Sequence, residues 1–335
     1  MKKVSEIVTE KILARMEEAK NSGEQFHWVK PFAEGAPTRA YSYETKLPYS
    51  GINRLLLDNS EYLTFKQIQK INQKKDGPQY QIRKGAHGNM VCYYDLMTIK
   101  NKDTGEPEID EFTGKEKKRG FLKYYNVFSR EDVIDIQTGK NLPSQFDFKH
   151  YTHQDVSELM QQKLDTVNRL FNFYCKKYGI DIEIITDGTQ AYFSHNMRIR
   201  FPTIDNFHSL YSWAHTIFHE MSHSTGMMLG RFNDMTPQSV EEQMQSYSRE
   251  ELVAELSSEM ICADLGIPDD SNTPDNSVAY ISGWSSYLKD RPNEIISAAA
   301  KAEKASMFIL ECLKELELEE QKGKNQTERS EEYDR

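Results

Sequence analysis

The segment His219-Glu220-Met221-Ser222-His223 sets two imidazoles four residues apart, with a carboxylate directly after the first. On a helix, residues four apart lie one turn above each other on the same face, so both rings can direct a nitrogen at one divalent cation, zinc first among the candidates. Glu220 is then placed as general base, taking a proton from water as that water attacks a polarised carbonyl, the division of labour of zinc peptidases. Trp213, Ile217 and Phe218 supply an apolar face to bury the helix, and Gly226 is placed to end it at the C′ position. The competing reading is a surface histidine pair on an ordinary helix.

A third ligand must come from another element, and Arg249-Glu250-Glu251-Leu252-Val253-Ala254-Glu255-Leu256 is the obvious source. A carboxylate opposite two imidazoles completes a catalytic site that keeps a position open for water. Glu251 and Glu255 share one helical face, so Glu251 is expected as ligand with Glu255 supporting a histidine from behind. Glu250 stays open, because a one-residue change of helix phase would bring it forward. A third histidine three residues beyond the glycine of His-Glu-x-x-His-x-x-Gly is excluded, since position 229 is leucine. His215, one turn before His219, is expected to be packed or hydrogen-bonded rather than a fourth ligand. Tyr247 could donate to an oxyanion, though a core role is the expectation for it.

The helix carrying the histidines is expected over Leu210 to Thr225 and its acidic partner over Ser248 to Leu265. Val278 to Lys289 and Pro292 to Glu317 read as further helices, and Val156 to Tyr178 as the helix that opens this part of the chain. Strand patterns cover Ile180 to Ile185 and Tyr192 to Phe201. Before them, Val4, Val8, Ile12 and Met16 at spacing four predict an amphipathic helix packed on the first domain. Leu63 to Gln73 looks helical. Gln79 to Ile82 and Met90 to Thr98 alternate like strands joined by the turn around Gly85 and Gly88, and Phe121 to Phe128 resumes that pattern after a charged loop or hairpin over Asn101 to Lys118.

With 335 residues, two domains each burying its own core are expected, divided near Gln137 to Tyr151. No apolar run approaches membrane-spanning length and the N-terminus lacks a signal-peptide core, so a cytoplasmic protein with no membrane partner is the expectation. The four cysteines are far apart, which argues for buried thiols rather than a disulfide framework or zinc ribbon.

The net charge of −10 conceals an asymmetry: residues 1–150 hold 25 Lys and Arg against 21 Asp and Glu, and the remainder 17 against 31. Between Thr64 and Cys92, Lys66, Lys70, Lys74, Lys75, Arg83 and Lys84 face the single acid Asp76, interleaved with Phe65 and Tyr80 and followed by Tyr93 and Tyr94. Cations can hold phosphates while rings stack on unpaired bases. Trp28, Lys30 and Phe32 form a second cluster of this kind. A solvated basic helix beside core aromatics is the plain alternative.

Several of these segments, in their order and spacing, resemble the ArdC-type antirestriction proteins of conjugative plasmids and related mobile elements. In the first part they are Trp28-Val29-Lys30-Pro31-Phe32, Tyr49-Ser50-Gly51-Ile52-Asn53, Leu63-Thr64-Phe65-Lys66-Gln67, Ile82-Arg83-Lys84-Gly85-Ala86-His87-Gly88 and Tyr125-Asn126-Val127-Phe128; in the second, Phe201-Pro202, the two segments around His219 and Glu251, and Tyr280-Ile281-Ser282-Gly283-Trp284. The resemblance implies an α+β protein: a small mixed α/β domain binding single-stranded DNA over 1–145 and a mostly helical zincin-like metallopeptidase domain over 146–318; the tail over 319–335 lies outside the resemblance and reads, from its polar composition, as frayed or disordered. It further implies a metal site in the second part and protection of incoming DNA from restriction; the residues read for these roles are His219, His223 and Glu251 as metal ligands, Glu220 as catalytic base, Glu255 behind them, and Trp28, Lys30, Lys66, Arg83 and Lys84 on the DNA. Zinc is the expected metal, with manganese and cobalt as alternatives, and a peptide or protein is the expected substrate. Two rival functions remain: a DNA-coating protein whose metal is structural, and a peptidase acting on a protein partner without DNA.

Overall fold

The computed structural model describes residues 2–31, 37–74, 77–101, 104–109, 114–146, 153–188, 190–194, 196–232, 239–269 and 277–333. The chain opens with α1 (Val4–Ser22), ended by Gly23, whose positive φ of 72° suits a residue without a β-carbon. Short elements follow: β1 (Tyr41–Ser42), α2 (Asn53–Leu56), β2 (Glu61–Leu63) and α3 (Phe65–Ile71). Thr64 caps α3, its hydroxyl accepting from the Gln67 N–H while the Gln67 side chain reaches back to the Thr64 N–H.

Strands β3 (Tyr80–Ile82), β4 (Asn89–Thr98), β5 (Lys118–Ser129) and β6 (Val133–Asp135) complete the first part. The sequence pattern suggested that β3 and β4 pair with each other. Instead β4 lies at the edge of a sheet ordered β1-β2-β5-β4, while β3 pairs with β6. The turn between them, with Gly85 at φ 89°, passes the chain from one sheet to the other. The β4–β5 ladder runs from Asn89 opposite Val127 out to Thr98 opposite Lys118, a projecting two-stranded arm that continues through bridges at Lys100–Pro107 and Ile109–Glu116.

The second part begins with α4 (His153–Tyr178) and a sheet ordered β7-β9-β8, from β7 (Asp181–Ile185), β8 (Tyr192–Ser194) and β9 (Arg198–Pro202). The expected single strand over 192–201 is therefore two strands, reversed through Met197 at φ 58°. Four helices follow: α5 (Leu210–Met228), α6 (Val240–Asp264), α7 (Ser277–Lys289) and α8 (Glu294–Tyr333). Gly226 does not end α5; a β-carbon there would collide with the Phe232 ring, and the left-handed turn falls to Gly230 at φ 69°. α8 continues through the expected loose tail. Glu, Lys, Gln and Arg favour helix there, and Glu315 just before the tail and Glu320 within it pair with Lys177 and Arg169 of α4 at 2.5 Å each.

The core does not divide at the expected boundary. Val8, Ile12 and Met16 of α1, with Phe26, Trp28, Val29 and Leu55, pack in one buried cluster with Leu252, Leu256 and Met260 of α6 and Ile281 and Leu288 of α7. α1, expected on the first domain alone, thus joins the two parts. Beside this cluster Arg54, 2% exposed, donates to Asp264 at 2.9 Å and to the Met260 carbonyl at 3.0 Å, and Arg39 pairs with Asp264 and Glu303. A second core, built from Val167, Leu170, Phe171, Ile199, Phe201 and the apolar face of α5, lies within the C-terminal part. All four cysteines are buried and free.

A shared core predicts that both parts unfold in one calorimetric transition. Arg54→Met, which leaves buried Asp264 and Glu303 short of a cation, should lower stability by about 3–5 kcal/mol in a urea titration; two separated transitions, or an unchanged midpoint, would contradict a seam held in this way.

Candidate metal centre

α5 and α6 pack antiparallel, and the repeat of four on each brings a column of histidines against a column of acids. His215 faces Glu255 and Ser258, His219 faces Glu255 and Glu251, and His223 faces Glu251 and Glu250. Burial of Trp213, Ile217 and Phe218 on one side of α5, and of Leu252, Val253 and Leu256 on α6, fixes the phase of both helices.

His219 Nε2 and His223 Nε2 lie 3.1 Å apart, and each is 3.4 Å from an oxygen of Glu251. Donors roughly 2.0–2.1 Å from a tetrahedral cation would be about 3.3 Å from one another. The two imidazoles and one carboxylate therefore fit a divalent metal in both spacing and chemistry, and among the described residues they form one of two groups of potential ligands. Of the three acids the sequence left open, Glu251 is the one that reaches both Nε2 atoms.

The other two stand behind the rings. Glu255 Oε2 is 3.4 Å from His219 Nδ1, and Glu250 Oε1 is 3.7 Å from His223 Nδ1. A carboxylate at the far nitrogen fixes ring orientation and tautomer. Glu250 is itself gripped by Arg231, which also donates to the Ser222 carbonyl at 2.7 Å and the Thr225 hydroxyl at 2.8 Å. Burial opposes charge on His219, but its hydrogen bonds to Glu251 and Glu255 prevail and raise its pKa to about 10 in the metal-free protein. Burial also favours neutral Glu255, yet the neighbouring histidines and the Tyr280 hydroxyl hold it down at about 2.

Glu220 lines the same cleft. Burial pushes its carboxyl above the usual range, opposed by the two histidines and by the nearby Phe193 backbone N–H. The cleft has a volume of roughly 790 Å3, and Tyr192, Phe193, Phe232 and Tyr247 share its walls with the metal-type donors. Tyr247, expected in the core, is 67% exposed at the rim of the cleft that Glu251 also lines. His215 is hydrogen-bonded to Ser258 at 2.9 Å and stacked on Tyr211, the packed role expected for it.

The residues expected on DNA do not gather as a set. Trp28 is buried at 1% exposure, its indole N–H donating to Tyr280, so it offers no face to a base. Lys30 is exposed 3.6 Å from Asp58. Lys66 is exposed on α3, and Arg83 and Lys84 are exposed in the turn after β3, with Arg83 donating to Asn141 at 2.9 Å. Lys70 pairs with Glu44. Phe32, Lys75 and Asp76 lie outside the described residues. Sequence reasoning missed Arg231, Phe193 and Phe232, which carry no local motif, and the exposed Tyr124 and Tyr125 of β5, which the β4–β5 register sets opposite Cys92 and Val91, with the Tyr125 ring 5.7 Å from that of Tyr93.

Two family models match the chain: the N-terminal domain of the anti-restriction factor ArdC over residues 2–128, and a zincin-like metallopeptidase over residues 172–301. A crystal structure of the antirestriction ArdC protein from the R388 plasmid, known in metal-free and Mn(II)-bound forms, superposes with a TM-score of 0.59 at 26% identity, covering 93% of this chain and 98% of that one. A DNA primase TraC of Escherichia coli is 27% identical over 315 residues, and protein y4eC of Sinorhizobium fredii, itself uncharacterized, is 25% identical over 239. The matches cover 91% and 68% of this chain but only 20% of the primase and 66% of y4eC. The chain thus belongs with the ArdC-type proteins, an ArdC N-terminal domain joined to a zincin-like metallopeptidase domain.

Proposed function

We propose that this protein hydrolyses peptide bonds with a metal held by His219, His223 and Glu251, and that its N-terminal part binds single-stranded DNA in an antirestriction role for a mobile genetic element. The observation that carries the hydrolase reading is the triangle of 3.1, 3.4 and 3.4 Å formed by those three side chains in a cleft that also holds Glu220. A divalent cation there supplies Lewis-acid polarisation of a carbonyl and of water. Zinc suits the donor set, and the Mn(II)-bound ArdC structure makes manganese a second candidate, with cobalt a third.

The chain's own residues do the rest. Glu220, in the cleft beside Phe193, takes the proton of the attacking water on its carboxylate and returns it to the leaving amine. Glu250 and Glu255 keep the His223 and His219 rings turned toward Glu251. The aromatic walls leave space for an apolar side chain of the substrate, and the outer edge of β8 flanks the cleft.

For DNA, the support is the surface of the first part. Tyr93, Tyr94, Tyr124 and Tyr125 are between 41% and 67% exposed on the β4–β5 arm, where Lys118 and Arg119 are also exposed. Such rings and cations suit stacked bases and phosphates. No described helix is long and apolar enough to cross a membrane; a cytoplasmic site of action, where incoming DNA meets restriction, belongs to the same proposal.

Glu220→Gln should retain bound metal while peptidase turnover falls about 10²–10⁴-fold; undiminished turnover would remove Glu220 from the reaction. If Glu220→Gln also keeps full antirestriction activity in cells, the DNA-coating alternative gains and peptide hydrolysis is not the protective step. Joint replacement of Lys66, Arg83 and Lys84 by alanine should weaken single-strand binding and flatten its logarithmic salt dependence by about 0.7 for each phosphate no longer neutralised. Unchanged affinity and slope would place the DNA elsewhere.

A further inference from the structure

The rungs of α5 and α6 continue inward from the candidate metal centre. One turn deeper, His215, Glu255 and Glu259 bring ligand-type atoms within 4.8 Å of one another, a second place where a cation could be sought. Its atoms are already engaged. His215 Nε2 is 2.9 Å from Ser258 Oγ, Glu259 Oε2 accepts the Val29 backbone N–H at 2.8 Å, and Glu255 Oε1 accepts the Tyr280 hydroxyl at 2.5 Å. The Tyr280 oxygen accepts the Trp28 indole N–H at 2.7 Å. Apart from Ser258 of α6 itself, the partners that fill this inner rung come from α7 and from an N-terminal segment; Trp28 is 252 residues from Tyr280 in the chain.

We infer that Trp28 and Tyr280 are positioning residues of the metal centre, through which the N-terminal part sets the orientation of His219. The inference rests on the reading that His219, His223 and Glu251 hold a metal. An indole N–H can only donate, so the Tyr280 oxygen must accept from it, and the one phenolic proton is thereby committed to Glu255. Glu255 then has one oxygen fixed by Tyr280 and the other 3.4 Å from His219 Nδ1, which leaves Nε2 facing Glu251 and His223. Tyr280 is partly buried with its hydroxyl held between Glu255 and the indole, so removing that hydroxyl takes a donor from Glu255. The two metal-type histidines are therefore supported unequally. His223 is backed by Glu250 and Arg231 from its own part of the chain, while His219 is backed by a relay that ends in the other part.

The test is Mn(II) titration of the full chain, with the melting temperature of the metal-free protein measured alongside. Tyr280→Phe keeps the ring but removes the relay, and should weaken Mn(II) binding about 10–100-fold. Trp28→Phe frees the Tyr280 proton to turn away and should cause a smaller loss in the same direction. Leu288→Ala, which loosens the same helix without touching Glu255, should lower the melting temperature and leave Mn(II) affinity near wild type. Full wild-type affinity in Tyr280→Phe, or an equal loss in Leu288→Ala, would overturn the positioning role while the metal reading stands. Failure of the wild-type chain to bind Mn(II) or Zn(II) would overturn the metal reading itself.

Discussion

The site depends on the antiparallel register of two helices whose chemistry repeats every four residues. Imidazoles and carboxylates that are largely withdrawn from water must meet partners, because an unpaired buried polar group costs roughly 1–3 kcal/mol and an unpaired charge more. In this register His215, His219 and His223 each meet an acidic or hydroxyl side chain of α6. Sliding one helix by a turn would leave the column mismatched at both ends, and sliding it by one residue would turn the acids toward the apolar side. The polar ladder and the apolar faces of the two helices therefore demand the same alignment, which is the agreement between levels that specifies a single packing.

That alignment is held from outside as well. Asp264 lies at the C-terminal end of α6 and Glu303 on α8, and both are neutralised by Arg39 and Arg54 from the N-terminal part. Two arginines against two carboxylates, together with the Met260 carbonyl and the Gly51 N–H, satisfy a cluster that neither part could bury alone. The helices that carry the metal-type donors are thus clamped by side chains with no part in chemistry, and the apolar cluster of α1, α6 and α7 fills the space between.

Much of this was legible in the sequence because its signal is local. The spacing of His219 and His223, the apolar residues beside them and the acids at 251 and 255 are helix-period patterns, and the helix period is how they meet. Glu251 was the preferred ligand on sequence, but Glu250 stayed open, since the choice turns on a helix phase set by contacts of Leu252 and Leu256 with distant residues. Trp28 misled for a related reason: an indole beside Lys30 looks like a base-stacking group, and only the tertiary fold turns it inward to Tyr280. The pairing of β4 with β5 rather than β3 is likewise a property of the whole sheet, invisible to alternation along one strand. The tail beyond 318 reads as polar, yet polarity without a proline is also what an exposed helix face requires, and Gly323 alone is too weak an interruption to end it.

Gly226 illustrates a local concession made for a global shape. Within a helix glycine costs about 1 kcal/mol relative to alanine, and here it sits three residues after His223, inside α5 rather than at its end. Its missing β-carbon lets the Phe232 ring lie directly on the helix backbone as one wall of the cleft. The calibre of the opening is therefore tied to the smallest side chain on the helix: even one added methyl would push the ring aside and reshape what the cleft can admit.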